Sequence, residues 1–237
     1  LWVAGLTTFA AFAVLIGLGI WQLERKSWKE GLIDTLTRRL AAPPIVLPPP
    51  DQWSHLDQAE NEFRRVTFRA EVLSGQEALV YTSGSAFRPD VSGQGYWVLA
   101  PARIAGGVIV IDRGFVPEGR QDAKTRAEAP AGTTDIVGVL RWPESPGLFT
   151  PAGDPARNLW FTRDPLAIAQ AKQWGPVAPF YVEQEAPVPP GGLPKPGVLQ
   201  VSLPNDHLNY ALTWFGLAAV LAGVFGFWMR SRIAPSL

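Results

Sequence analysis

Two charge-free apolar runs, residues 1–23 and 208–229, stand at opposite ends of this chain and dictate its layout. As a helix rising 1.5 Å per residue, the first reaches roughly 34 Å, enough for a hydrocarbon layer of about 30 Å. Both are expected to be transmembrane helices. A cleaved signal peptide fits the first run poorly, because the run is long and its only Ala-x-Ala, Ala11 to Ala13, lies in the middle. The sequence does not begin with Met, so it is expected to start inside its gene. Gly17 and Gly19 remove bulk just before Trp21 and Gln22, which permits close approach of another helix or of a flat ligand; helix packing is the plainer reading.

Beyond the first span, Trp28, Leu32, Leu36 and Leu40 recur every four residues while Arg25, Lys26, Lys29, Glu30, Arg38 and Arg39 fill other faces. The helix is therefore expected to continue through residues 24–42 as an amphipathic stalk. Pro43-Pro44 and Pro48-Pro49-Pro50 make residues 43–62 read as a stiff, extended connector, with His55 an ordinary surface residue.

Residues 63–203 change character. Period-two alternation at 66–72, followed by short β-branched and aromatic segments at 77–82, 96–100, 108–115, 135–142, 159–162 and 180–185, predicts an all-β domain, an antiparallel barrel or sandwich. Gly106-Gly107 is a hairpin-turn candidate, and 165–174 reads as one short helix capped by Asp164 with Pro165 first. Charges alternate in sign along 118–128, the pattern of a solvated loop. Asp112-Arg113-Gly114 is expected to be a buried ion pair at a bend that serves folding rather than chemistry.

The second span, 204–229, exits into Arg230 and Arg232 and enters beside Asp206, which places residues 230–237 and both termini in the cytoplasm and the β-domain outside. Arg25, Lys26 and Lys29 then lie outside, against the usual bias, as a long translocated domain allows. Trp2 and Trp228 fall at the inner interface, Trp21 and Tyr210 at the outer.

The mouth of this span carries one of the two histidines. Asn205 or Asp206 can cap the helix, His207 sits in its first turn, and His207, Tyr210 and Trp214 share a face at i, i+3, i+7. If the spans pack together, Trp21, Gln22 and Arg25 lie at the same height. Two readings fit: a histidine that merely hydrogen-bonds at the interface, or an axial ligand for a haem, with apolar walls and a cation for the propionates.

Composition narrows the alternatives. With 21 basic and 21 acidic residues there is no nucleic-acid-binding charge balance, and with no cysteine there is no thiol catalysis or thiolate metal site. One methionine and no cysteine disfavour a copper carrier, and no Gly-x-Ser-x-Gly elbow supports a hydrolase, so no enzyme activity is expected.

Five motifs occur in order: Gly19-Ile20-Trp21-Gln22-Leu23-Glu24-Arg25-Lys26-Ser27-Trp28-Lys29, Phe63-Arg64-Arg65-Val66, Val110-Ile111-Asp112-Arg113-Gly114-Phe115-Val116-Pro117, Pro189-Pro190-Gly191-Gly192, and Pro204-Asn205-Asp206-His207-Leu208-Asn209-Tyr210-Ala211-Leu212-Thr213-Trp214-Phe215. Across nearly the whole chain this resembles the surfeit locus protein one (Surf/Shy) family. Asp206 stands where a second Asn is expected, and Phe63 and Phe115 where Tyr and Trp are usual. The resemblance implies an assembly factor for a haem-copper oxidase, cytochrome c oxidase above all, aiding delivery of haem a to the catalytic subunit. The family's histidine corresponds to His207, so the implied haem site is His207, Tyr210, Trp214, Trp21, Gln22 and Arg25, with transient haem a as cargo. Implied partners are the oxidase catalytic subunit, haem A synthase and membrane lipid. The implied location is a bacterial cytoplasmic membrane with a periplasmic β-domain, or the mitochondrial inner membrane. The alternative within the family is a scaffold that steadies the oxidase core subunit without touching haem.

Overall fold

A computed structural model describes residues 2–73, 75–126 and 132–233. It divides into a helical unit, drawn from the chain up to Thr35 and from Leu203 onward, and a β unit, Leu36–Ser202. The helical unit contains two helices long and apolar enough to cross a membrane. The first, α1, runs unbroken over Trp2–Ala41, so the span and the expected stalk are one element. The last, α4, covers His207–Ile233. Ala127 and Glu128 of the alternating-charge stretch, and residues 234–237 of the tail, lie outside the described residues.

The β unit is built from β1 (Ile45–Val46), β2 (Arg65–Val72), β3 (Ala78–Gly84), β4 (Ser92–Ile104), β5 (Gly107–Pro117), β6 (Thr133–Arg141), β7 (Leu159–Trp160) and β8 (Tyr181–Ala186), with short helices α2 (Gln58–Asn61) and α3 (Pro165–Lys172). Strand order is β1-β2-β6-β8-β5-β4-β3-β7, and a further β2–β4 pairing closes β2, β6, β8, β5 and β4 into a five-stranded barrel. The expected all-β domain with one principal helix is thus present. Three pairings, β1–β2, β3–β7 and β5–β8, run parallel within the otherwise antiparallel sheet. Asp164 caps α3 as the sequence predicts, accepting from the backbone N–H groups of Leu166 and Ala167.

Side chains alternate across each strand, so the barrel wall has two apolar faces. Val66, Ala70, Ala102, Ile109, Ile111, Ile136, Leu140 and Val182, drawn from all five barrel strands, fill the interior. Residues 43–62, expected as an extended connector, instead fold onto this core. Leu47 and Trp53 are buried in it, Trp53 meets Phe180 edge to face at 5.6 Å, and its indole N–H donates to the Pro48 carbonyl at 2.8 Å. Burying two large side chains outweighs the stiffness that prolines confer on an isolated segment, because each contributes roughly 1.5–3 kcal/mol.

The outer face is covered too. Val80, Leu99, Val110, Trp160, Ile168 and Tyr181 form a second core beneath α3 and the β3–β7 extension. A buried ionic cluster borders it. Arg163 places Nη1 3.0 Å from Asp112 Oδ2 and 3.3 Å from Glu183 Oε2, and its Nε and Nη2 lie 2.9 and 2.6 Å from Glu144 Oε1. Arg141 Nη1 also reaches Glu183 Oε2, at 3.2 Å. The aromatic faces of Trp97 and Tyr181 complete the walls, 5.1 and 5.6 Å from the Arg163 guanidinium. Burial pushes the Asp112 carboxyl up to about 6; Arg163 opposes the rise, and the neighbouring Glu183 reinforces it. For Glu144, burial acts upward, but Arg163 outweighs it and holds the carboxyl below its usual range.

Asp112 and Arg113 are both buried, as expected, yet they do not pair with each other: Arg113 bonds Glu77 at 2.7 Å. Neighbouring residues on a strand face opposite ways, and this strand bulges at Gly114, whose N–H donates to Asp112 Oδ1 at 3.0 Å. Each charge therefore meets a partner brought by another segment.

Candidate functional site

The two long helices pack antiparallel. Gly5 of α1 lies opposite Phe225 of α4, Gly19 opposite Phe215, and Gln22 opposite His207. Among the less exposed positions of α1, residues 5, 8, 12, 15, 19, 22, 26, 29 and 33 form a stripe with alternating steps of three and four, the period of a left-handed helix pair. On α4 the matching stripe includes Ala211 and Ala218, both buried. A Cβ on Gly19 would sit 2.4 Å from Phe215 Cε1, so this glycine seats an aromatic ring of the facing helix and no room is left there for a ligand. Gly17 has nothing within 4 Å of a Cβ position. Gly19→Val is accordingly expected to cost roughly 1–3 kcal/mol, typical of overpacking. Gly17→Val should cost no more than a few tenths, and thermal unfolding of the helices in detergent, followed by circular dichroism, compares the two.

At the end of this pair His207 Nδ1 and Gln22 Oε1 are 2.7 Å apart, a polar contact joining the two spans. Trp214 is half-buried beside it in the helix sequence, while Trp21 and Tyr210 are 53% and 57% exposed. Tyr210 thus stands on the flank of the stripe that continues from His207 through Ala211 and Trp214. Arg25 is exposed, its guanidinium 4.0 Å over the ring of Trp28. The first helical bond runs from Tyr210 N to Asp206 O at 3.3 Å, and the side-chain cap expected from Asn205 is not made, because its Oδ1 is shielded and accepts no hydrogen bond. Of the six residues singled out from sequence, the structure therefore joins His207 directly to Gln22 and sets Trp214 on the same stripe. Trp21, Tyr210 and Arg25 present their side chains outward near that end.

Among the described residues no three His, Cys, Asp or Glu side chains gather as a cation site. One imidazole is too few donors for a bare metal ion. It suits an iron that already carries four equatorial nitrogens and needs only an axial ligand.

The profile of the SURF1 family matches residues 9–219. The chain belongs to the SURF1 family. It is 34% identical over 229 residues to a SURF1-like protein of Monosiga brevicollis, covering 92% of this chain and 84% of that one. Against surfeit locus protein 1 of Takifugu rubripes the identity is 34% over 222 residues, with 87% and 89% covered. Against the human surfeit locus protein 1 it is 33% over 232 residues, with 92% and 73% covered. The family match spans both Gln22 and His207, so the matched residues include the candidate site as well as the barrel strands.

Proposed function

We propose that this SURF1-family chain is a membrane-anchored assembly factor for a haem-copper oxidase, and that it holds haem a in transit through His207. The observation that carries the reading is the His207–Gln22 contact, which places a single imidazole, fixed between two spans, at the mouth of an apolar helix pair. Exposed rings at Trp21 and Tyr210 and the exposed Arg25 guanidinium support a large, flat, anionic and otherwise apolar cargo, since rings stack on a macrocycle and a guanidinium pairs with carboxylates. The receiving partner in this reading is the oxidase catalytic subunit, and haem A synthase is the source. Arg230 and Arg232 in the last turn of α4 support cytoplasmic termini and a periplasmic β-domain in a bacterial membrane; the eukaryotic relatives make a mitochondrial inner membrane the alternative.

Co-expression with haem A synthesis tests it. Wild-type protein is expected to purify with a haem a absorption band, and His207→Ala with that band shifted or lost. Undiminished pigment with an unchanged spectrum in the variant removes axial ligation by His207.

A scaffold role without haem is favoured by a different feature. Leu148 and Phe149 are each 91% exposed on a turn held by Thr150 N to Gly147 O at 3.0 Å and Gly147 N to Thr150 Oγ1 at 2.8 Å. A firm turn offering two bare apolar side chains suits a protein contact. Haem stoichiometry on the purified wild-type chain separates the readings.

A further inference from the structure

A neutral imidazole carries its proton on one nitrogen only, and the hydrogen bond made by one nitrogen decides the state of the other. His207 Nδ1 faces Gln22 Oε1 at 2.7 Å. An amide carbonyl oxygen accepts and cannot donate. The ring nitrogen facing it must therefore be the donor, so Nδ1 bears the proton and Nε2 keeps its lone pair. The two ring nitrogens point in roughly opposite directions, which turns that lone pair away from α1.

We propose that Gln22 is the positioning residue of this site: it holds His207 as the Nδ1–H tautomer and so makes Nε2 the ligating atom. Gln22 belongs to α1 and His207 to α4, so the Nδ1–H tautomer is held only while the two spans are paired. Separating them frees the imidazole to carry its proton on Nε2, the form an unconstrained histidine side chain prefers, and that form offers Nδ1 instead of Nε2 to a ligand. Ligation through Nε2 is thereby coupled to the pairing of the spans, where Gly19 packs against Phe215. A hydrogen bond from the far nitrogen also raises the basicity of a ligating histidine, and loss of such a partner typically weakens binding about 10–100-fold. The identity of the acceptor as haem rests on the function proposed above. The tautomer does not.

The chain has only two histidines, so the remaining one can be removed cleanly with His55→Asn, at an exposed position. In protein labelled with 15N at histidine, in detergent and above the imidazole titration, a long-range 1H–15N spectrum reports which nitrogen is protonated. The expected result is Nδ1–H in the His55→Asn background, a shift toward Nε2–H in Gln22→Leu, and retention of Nδ1–H in Gln22→Glu, whose carboxylate also accepts. Nε2–H in the background protein overturns the proposal, as does unchanged Nδ1–H in a Gln22→Leu protein with native helix content. A Gln22→Leu protein that fails to fold leaves the background spectrum and the Gln22→Glu spectrum to decide. Titration of haem into the same samples is a separate arm: about 10–100-fold weaker binding in Gln22→Leu than in Gln22→Glu supports the positioning role. Absence of haem binding in every sample, alongside the Nδ1–H spectrum, rejects the haem reading and leaves the tautomer assignment standing.

Discussion

Arg163→Met is expected to cost the β unit roughly 3–5 kcal/mol near neutral pH, the usual penalty for deleting one partner of a buried ion cluster. The substitution keeps an unbranched apolar stem but removes the cation shared by Asp112, Glu183 and Glu144. The penalty should shrink in mild acid, because carboxyls without a guanidinium can take up protons and bury as neutral acids. Denaturant unfolding of the whole chain in detergent, followed by tryptophan fluorescence at about pH 7.5 and about pH 5, measures both effects. Equal losses at the two pH values, or a loss under about 1 kcal/mol, would show that the cluster does not couple its charges in this way.

In the intact protein Asp112 contributes a pH dependence opposite in sign to ordinary acid denaturation. Asp112 binds its proton more tightly folded, at about 6, than in an unfolded chain, where an aspartate titrates near its ordinary 3.8. Folded protein therefore holds more protons than unfolded protein between those values, and this carboxyl adds stability as pH falls through about 6 toward 3.8. Glu144, held low by Arg163, acts the other way: its contribution is present above the usual glutamate pKa and is lost as pH falls through its depressed folded value. A stability maximum on the acidic side of neutrality is the expected net result.

Gly114→Ala should be comparably severe. A Cβ at this position would lie 2.2 Å from the Lys195 carbonyl oxygen and 2.5 Å from Pro196 N, both backbone atoms, at a φ of +116°. The strands cannot give way easily, because Phe115 N donates to Lys195 O at 3.0 Å and Lys195 N returns to Phe115 O at 2.7 Å. A clash with backbone and an unfavourable φ together are expected to cost about 3 kcal/mol or more. Gly119→Ala makes a fitting comparison, since it shares a positive φ of +84° but meets nothing within 4 Å. The difference between the two denaturation midpoints isolates the clash from the dihedral strain.

Much of this architecture was legible in the sequence, for identifiable reasons. Charge-free length announces the two spans, and alternation announces the strands, because each needs only local information. Asp164 followed by Pro165 specifies the start of α3 by the same logic. Ring closure was not legible: β2 meets β4, and β5 runs parallel to β8, through pairings that no window of residues contains. Leu47 and Trp53 sit among prolines without periodicity, so their insertion into the barrel left no pattern. The cluster around Arg163 gathers carboxylates 19 to 51 positions away, Glu144, Glu183 and Asp112, and ion pairs at such separations leave no spacing to read. At the candidate site, helical spacing gave the right height for Gln22 and His207. The stripe that faces α1 then passes through Ala211, not Tyr210, because small residues win wherever two helices touch closely.

The ring of five strands is not equally secure around its circumference. β2 is stitched to β6 over seven residue pairs, from Arg65–Val139 to Glu71–Thr133, but to β4 over only Glu71–Arg103 and Val72–Ala102. Across that seam the side-chain link is the solvent-exposed Arg103–Glu71 pair at 3.0 Å, a contact of small energetic weight. A cylinder closed along one short seam zips up there last when it folds and parts there first when it breathes, so amide protons flanking residues 71–73 and 101–103 should exchange with solvent well before those of the β2–β6 ladder.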